Sequence, residues 1–222
     1  MSLADDDYPD APPTRQEAKD AVATLLRFIG DDPRRPGLLE TPERVLRAWE
    51  LEWGSGYREL PPEALVKLFE EEGRGHREGE LALPPGGKKY NQMVGVVGID
   101  LFSTCEHHMA PFFGQAFISY IPTEKGLLGI SKLARVVEYF ARRLQVQERL
   151  TEQVADFLFE HVSPDVGIVI KARHFCMCSR GVRQPHAQTI TSALRGAFYD
   201  DPATRSEFLA LAREGGSGLS CA

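Results

Sequence analysis

Residues 114–144 read GQAFISYIPTEKGLLGISKLARVVEYFARRL. The first nine are rich in β-branched and aromatic residues and are bounded by Gly114 and Pro122, which predicts a strand. Beyond a glycine-bearing turn, GISKLARVVEYFARRL sets Leu133, Val136, Val137, Phe140, Ala141 and Leu144 on one apolar stripe with charges opposite, which predicts an amphipathic helix. Upstream, NQMVGVVGIDLF (91–102) reads as a second strand that makes a hairpin with the first. Downstream, QVQERLTEQVADFLFEHV (145–162) is a helix through Leu150, Val154, Phe157 and Leu158, and VGIVIKARHFCMC (166–178) is a further strand. PATRSEFLALARE (202–214) is a last helix, with a flexible tail over 214–222. A hairpin, two helices and then strand predict an α+β fold, with helices packed on one face of a largely antiparallel sheet.

The first third of the chain is different. Residues 1–14 are Asp, Pro and small residues that cannot bury a core, and read as a disordered lead-in. TRQEAKDAVATLLRFIG places Ala18, Ala21, Val22, Leu25 and Ile29 on one stripe that ends at Gly30. TPERVLRAWELEWGSGY opens a second helix, with Thr41 as N-cap, Pro42 at the first helical position, and Val45, Leu46 and Trp49 facing inward. The expected organisation is an N-terminal helical region over 15–57, a connection with few signals over 58–92, and a sheet-and-helix domain over 93–213.

Composition narrows the function. The hydrophobic and charged fractions, 42% and 26%, are those of an ordinary soluble globular protein. A net charge of −6 leaves no broad basic face for general nucleic-acid binding. No apolar run approaches the roughly 20 residues that span a bilayer. The acidic, proline-rich start is the opposite of a signal peptide, so the expected location is cytoplasmic. Four cysteines, Cys105, Cys176, Cys178 and Cys221, do not form a disulfide framework; in a reducing compartment such grouping points to metal or catalysis.

FSTCEHHMAPF (102–112) sets a cysteine, a glutamate and two histidines side by side, which cannot close a zinc site alone. Strand alternation through VGIVIKARHFCMC puts His174, Cys176 and Cys178 on one face. With Cys105 and His107 or His108 they supply a mixed sulfur and nitrogen set that suits Zn²⁺. Three protein ligands leave a position for water, whereas four close the site. Cys105 and His108, three apart on a turn, can grip one ion, and this frees the adjacent His107 for proton transfer. Alternation does not choose between Cys176 and Cys178.

Basic residues gather in three places. Ser131, Lys132 and Arg135 open one helix, where unpaired N–H groups and the helix dipole favour an anion. Arg44 and Arg47 repeat the pattern on an earlier helix, and Arg180 and Arg183 follow the cysteine strand. Three such groups in an acidic protein point to a phosphorylated substrate.

STCEHHMAPFFGQAFISYIP, GISKLARVVEYFARRLQVQERLTEQ and HFCMCSRGVRQPHAQTITSALRG resemble the central and C-terminal motifs of GTP cyclohydrolase I, and LLETPERVLRAW resembles that family's N-terminal helix motif. The similarity runs from about residue 37 to 210. It implies a tunnelling fold assembled into a ring, commonly a homodecamer, with active sites at subunit interfaces. It implies zinc on Cys105, His108 and Cys176, with water in the fourth position. The implied reaction takes GTP and water to formate and 7,8-dihydroneopterin triphosphate, the entry to folate and pterin synthesis. His107 and His174 match the family's acid–base histidines. Glu148 matches the carboxylate that receives the guanine N1–H and amino group, and Gln147 a contact to the base. Ser131 matches a ribose or phosphate contact, and Lys132, Arg135 and Arg180 match groups on the triphosphate. Arg44 and Arg47 would reach in from an adjacent subunit. Glu106 reads as an outer residue that orients a ligand.

Cys178 is not usual in the family, and Ser179 stands where a non-polar residue is common. A second thiol there could compete for zinc or pair with Cys176 on oxidation. Two other readings compete. A nucleobase deaminase would need an HxE element followed by PCxxC, which the chain lacks. A zinc-stabilised protein without chemistry would need a closed fourth position, for which Cys178 is the candidate.

Overall fold

The computed structural model describes residues 11–58, 60–69 and 91–214. Residues 1–10 of the expected lead-in, 59 and 70–90 of the expected connection, and the tail over 215–222 lie outside the described residues. The chain divides into two compact units between Ser55 and Gly56.

In the first unit, α1 (Arg15–Phe28) starts at a capping box: Thr14 accepts from the Glu17 backbone, and the Glu17 carboxylate accepts from the Thr14 N–H. The second helix, α2 (Thr41–Ala48), begins one residue earlier than its sequence signal. Glu40 is the N-cap and Thr41 is already helical, which moves Pro42 to the second position, where its missing N–H still costs no intrahelical bond. Arg15 and Lys19 of α1 both pair with Glu43 of α2. Their hydrogen bonds, Lys19 first, pull the Glu43 carboxyl down to about 2. The apolar stripe of α1 is not buried: Leu25 and Ile29 are 63% and 72% exposed.

The second unit is built on a five-stranded sheet. After a short helix α3 (Pro62–Leu65) and strand β1 (Leu68–Phe69) come β2 (Val94–Cys105) and β3 (Ala110–Tyr120). Then follow β4 (Leu127–Leu128), α4 (Ile130–Ala141), β5 (Leu144–Gln145), α5 (Gln147–His161) and β6 (Val166–His174). A helical turn α6 (Phe175–Cys178), β7 (Thr189–Arg195), α7 (Ala197–Asp200) and α8 (Pro202–Glu214) complete the order. The sheet runs β5-β2-β3-β6-β7, antiparallel apart from the two-residue β2–β5 pairing. Among the described residues, the side of β2 that faces away from β3 has no strand partner over 94–103, nor does the outer side of β7.

Period-two alternation sends Phe112, Ala116, Ile118 and Tyr120 of β3 to the same face as Val166, Ile168, Ile170 and Ala172 of β6. There they meet Leu133, Val136, Val137 and Ala141 of α4 and Leu150, Val154 and Leu158 of α5, as the helix stripes predict. All are buried, and each large side chain contributes roughly 1.5–3 kcal/mol of burial. The intervening residues Phe117 and Val169 point the other way, against Phe198 of α7 and Phe208 and Ala212 of α8. The C-terminal helix thus covers part of the second face, beyond the one-sided arrangement of α4 and α5.

The strand expected over 166–178 stops at His174. Phe175–Cys178 turn helical, closed by Ser179, whose backbone N–H and hydroxyl both donate to the Phe175 carbonyl. Gln184 N–H donates to the Met177 carbonyl and holds the following loop back against the turn. Strand alternation therefore fails beyond His174, and Cys176 and Cys178 no longer share a face.

Candidate active site

The β2–β3 hairpin ends in the cysteine and histidine cluster. Cys105 is the last residue of β2, 6% exposed, and is paired with Ala110 on one side and Gln145 on the other. The turn between them is tight: the Met109 N–H donates to the Cys105 carbonyl at 2.8 Å, and Met109 takes φ 50°. A non-glycine residue in that left-handed region is strained, and such positions cluster at functional sites. The turn folds the His108 ring back so that Nδ1 lies 3.8 Å from Cys105 Sγ. Cys176 arrives from α6 with its sulfur 4.0 Å from that of Cys105. The three donor atoms all lie within 4.8 Å of one another.

These separations can be tested against a metal. Tetrahedral bonds of about 2.3 Å to sulfur and about 2.0–2.1 Å to nitrogen require roughly 3.8 Å between sulfurs and 3.6 Å between sulfur and nitrogen. The two separations from Cys105 exceed these by a few tenths of an ångström and the third lies within 4.8 Å, so the group is compatible with a tetrahedral ion. Burial pushes the Cys176 thiol up, and the adjacent Cys105 sulfur pushes it further. A dication between the two sulfurs reverses that preference and favours both thiolates. Cys178 stands outside the group, with its sulfur 3.9 Å from the Pro185 carbonyl. On a helical turn it points away from Cys176, so it neither completes a four-ligand site nor faces Cys176 as a disulfide partner.

The remaining histidines differ from each other. His107 is exposed, its ring edge-on to His108 and its Nε2 3.9 Å from a Glu106 oxygen. His174 is half-buried, stacked on Phe112 with ring centres 4.4 Å apart and planes 8° apart. Burial pushes its pKa down and the nearby Glu148 carboxylate opposes this, so the ring favours the neutral form at neutral pH. Its Nε2 lies 2.9 Å from Oε1 of Gln147. Gln147 itself is 1% exposed, with its amide turned into the protein; this does not fit a side-chain contact to a base. Glu106 forms a two-pronged pair with Arg149, at 2.5 and 3.0 Å, which lowers the carboxyl and ties the hairpin turn to the first turn of α5.

The expected substrate contacts lie on the same unit, with two exceptions. Glu148 is exposed in the first turn of α5. Ser131 and Arg135 are exposed on α4, while the Lys132 ammonium donates to the Ala64 carbonyl at 3.1 Å. Arg180 is exposed just beyond α6, and its charge acts on Cys176. The exceptions are Arg44 and Arg47, exposed on α2 of the first unit, where Arg44 pairs with Glu40.

The family model described as GTP cyclohydrolase I matches residues 18–213. The chain belongs to the GTP cyclohydrolase I family. GTP cyclohydrolase 1 of Janthinobacterium sp. (strain Marseille) is 50% identical over 191 residues, which cover 86% of this chain and 88% of that one. GTP cyclohydrolase 1 of Aquifex aeolicus (strain VF5) is 48% identical over 200 residues, 90% of this chain and 97% of that one. The antiparallel sheet with α4 and α5 on one side is the tunnelling fold of the GTP cyclohydrolase I family. Two features of the site were not readable as motifs: the inward-turned Gln147 amide and the Arg149 partner of Glu106. Each depends on residues more than twenty positions apart, and no local spacing signals it.

Proposed function

We propose that this chain converts GTP and water to formate and 7,8-dihydroneopterin triphosphate, the first step of folate and pterin synthesis, with one zinc ion per subunit. The observation that carries the reading is a three-donor Cys105, His108 and Cys176 group with two further histidines, His107 and His174, on the same turns. Those three side chains would hold the zinc. When bound, it would supply Lewis acidity that activates water at near-neutral pH.

The chain's own groups supply the rest. His107 and His174 move protons at the nitrogens of the guanine imidazole ring as C8 leaves in formate, since an imidazole can both give and take a proton. The Glu148 carboxylate accepts from guanine N1–H and the 2-amino group, and adenine would leave it unsatisfied. Ser131, Lys132, Arg135 and Arg180 hold the ribose and triphosphate, with the unpaired N–H groups at the start of α4 favouring the same anion. Lys132 needs only to exchange its Ala64 carbonyl for a phosphate oxygen.

We further propose a ring-shaped homo-oligomer, a decamer, in which Arg44 and Arg47 reach the triphosphate of a neighbouring subunit. The edges of β2 and β7 that lack a strand partner among the described residues support self-association, since exposed edges invite pairing. The helical region over 15–57 would serve this assembly, and 93–213 would be the catalytic domain. Among the described residues no helix is long and apolar enough to cross a membrane, in keeping with action in the cytoplasm.

The test is one incubation of purified protein with GTP after chelation, with and without added zinc, following formate and the pterin. Both should appear together, vanish with the metal and return with zinc. Stoichiometric zinc with neither product would overturn the reading in favour of a structural metal site.

A further inference from the structure

The first residue of α5 is a glutamine with 1% of its surface exposed, an uncommon place for a side chain with two donors and an acceptor oxygen. Its neighbours determine which way it faces. The Ile170 and Thr189 backbone carbonyls can only accept, and each lies 3.1 Å from the same end of the amide. That end is therefore the nitrogen. Thr191 Oγ1 is a third acceptor there at 3.0 Å, so at least one of the two N–H groups is shared between acceptors. The Thr151 hydroxyl spends its proton on the main-chain carbonyl of Gln147 at 2.7 Å. The 2.7 Å bond between the two threonine hydroxyls must then be donated by Thr191, whose oxygen is left to accept from Gln147.

Every direction in the network is thereby set, and the amide oxygen is left facing His174. An amide oxygen can only accept, so the His174 Nε2 that lies 2.9 Å from it carries a proton. A neutral imidazole holds one ring proton, so its Nδ1 is bare. No hydrogen-bond partner for Nδ1 occurs among the described residues, while Phe112 stacks flat on the ring and limits its rotation.

We infer that Gln147 is a positioning residue that fixes a proton on His174 Nε2, leaving Nδ1 as the one ring nitrogen that exchanges a proton with the substrate. The statement about substrate rests on the function proposed above; the statement about the tautomer does not. The assignment replaces the contact with the base implied for Gln147 by the family resemblance.

The experiment is nitrogen NMR on zinc-loaded full-length protein enriched in ¹⁵N-histidine, with His174 assigned by loss of its signals in His174→Asn. Wild type should show a pyrrole-type Nε2 and a pyridine-type Nδ1 for neutral His174. Thr191→Val, which loosens the same network without touching the amide oxygen, should keep that pattern, and Gln147→Ala should show both tautomers. Zinc content should stay at the wild-type value in both variants. In turnover, Gln147→Ala should lower kcat about 10²-fold, the scale of one acid–base group. KM for GTP should stay within about twofold, since no ground-state contact is lost. A pyrrole-type Nδ1 in the wild type would overturn the inference, and that reading needs no variant to fold. A raised KM with kcat intact in Gln147→Ala would overturn it in favour of a base contact. The nitrogen spectrum decides the tautomer even if the chain makes no pterin, so failure of the proposed function is separately visible.

Discussion

Gly114 lies in the middle of β3, opposite Ala172 of β6, two residues from the Phe112 and His174 pair. A Cβ at this position would sit 1.9 Å from the Lys171 carbonyl oxygen and 2.6 Å from the Ala172 Cα. Carbon and oxygen need about 3.3 Å, so Gly114→Ala forces β3 and β6 apart by more than about 1 Å. Ladder bonds near 2.9 Å would then stretch past the roughly 3.5 Å at which they cease to count. Overpacking of this kind costs about 1–3 kcal/mol, and lost ladder bonds add to it. The same shift moves Cys176, which follows β6 in the chain, away from Cys105, whose strand β2 is paired to β3. The two sulfurs now stand 4.0 Å apart, and a metal site tolerates only about ±0.2 Å in its bonds. Thermal unfolding and metal quantification on the same samples test this. We expect a Tm lowered by about 2–12 °C for a chain of this size, with substoichiometric zinc. Gly37→Ala, where the one close atom is the flexible Arg35 Nη1, should change neither. A Gly114→Ala protein with wild-type Tm and full zinc would refute the argument.

Cys176→Ser should lose zinc and activity while Cys178→Ser keeps both, because only the first sulfur belongs to the donor group; metal analysis showing the reverse would mean that the ligand set is misassigned. Arg149→Ala and Glu106→Ala should each cost about tenfold in activity with zinc retained, the usual scale for residues that orient a metal site, and the double variant should cost no more than either single change. Strictly multiplicative losses would show that the pair does not act as a unit. The Asp201 carboxylate accepts from Thr204 and Ala203 at the start of α8, and these bonds hold it below its ordinary 3.8. With the folded pKa depressed, its contribution is present above 3.8 and lost as pH falls through the folded value. The Tm advantage of wild type over Asp201→Ala should therefore shrink on acidification below pH 3.8 and stay flat over about pH 5–8; a constant gap down to the lowest pH would contradict the bonding described.

The elements with long, regular patterns were legible in the sequence. The stripe Leu133, Val136, Val137 and Ala141 is buried as predicted, and both hairpin strands are present, each reaching further into the CEHHMAPF motif than the β-branched run suggested. What failed was short or one-sided. Phe175–Cys178 spans only four residues, too few to show a helical period, so strand alternation was carried through it. Partly buried β7 presents only one fully buried residue, Ala193, and gives little apolar signal. At the site, the two local donors were readable from their spacing, but the choice of Cys176 over Cys178 depended on a turn that spacing does not reveal. Gln147 was singled out for its place in a motif, yet its orientation is set by carbonyls on β6 and β7 that no reading of α5 could supply.

Cys105 and His108 are three residues apart, whereas Cys176 comes seventy-one residues after Cys105. A chain that has formed only the β2–β3 hairpin offers an ion two donors; the third arrives when β6 docks on β3. Retention of the ion thus reports long-range sheet closure, a step that loop entropy makes late relative to the hairpin. With the proposed zinc on these three donors, a nascent or misregistered chain would release its metal where a completed one keeps it, and metal content would report a completed sheet.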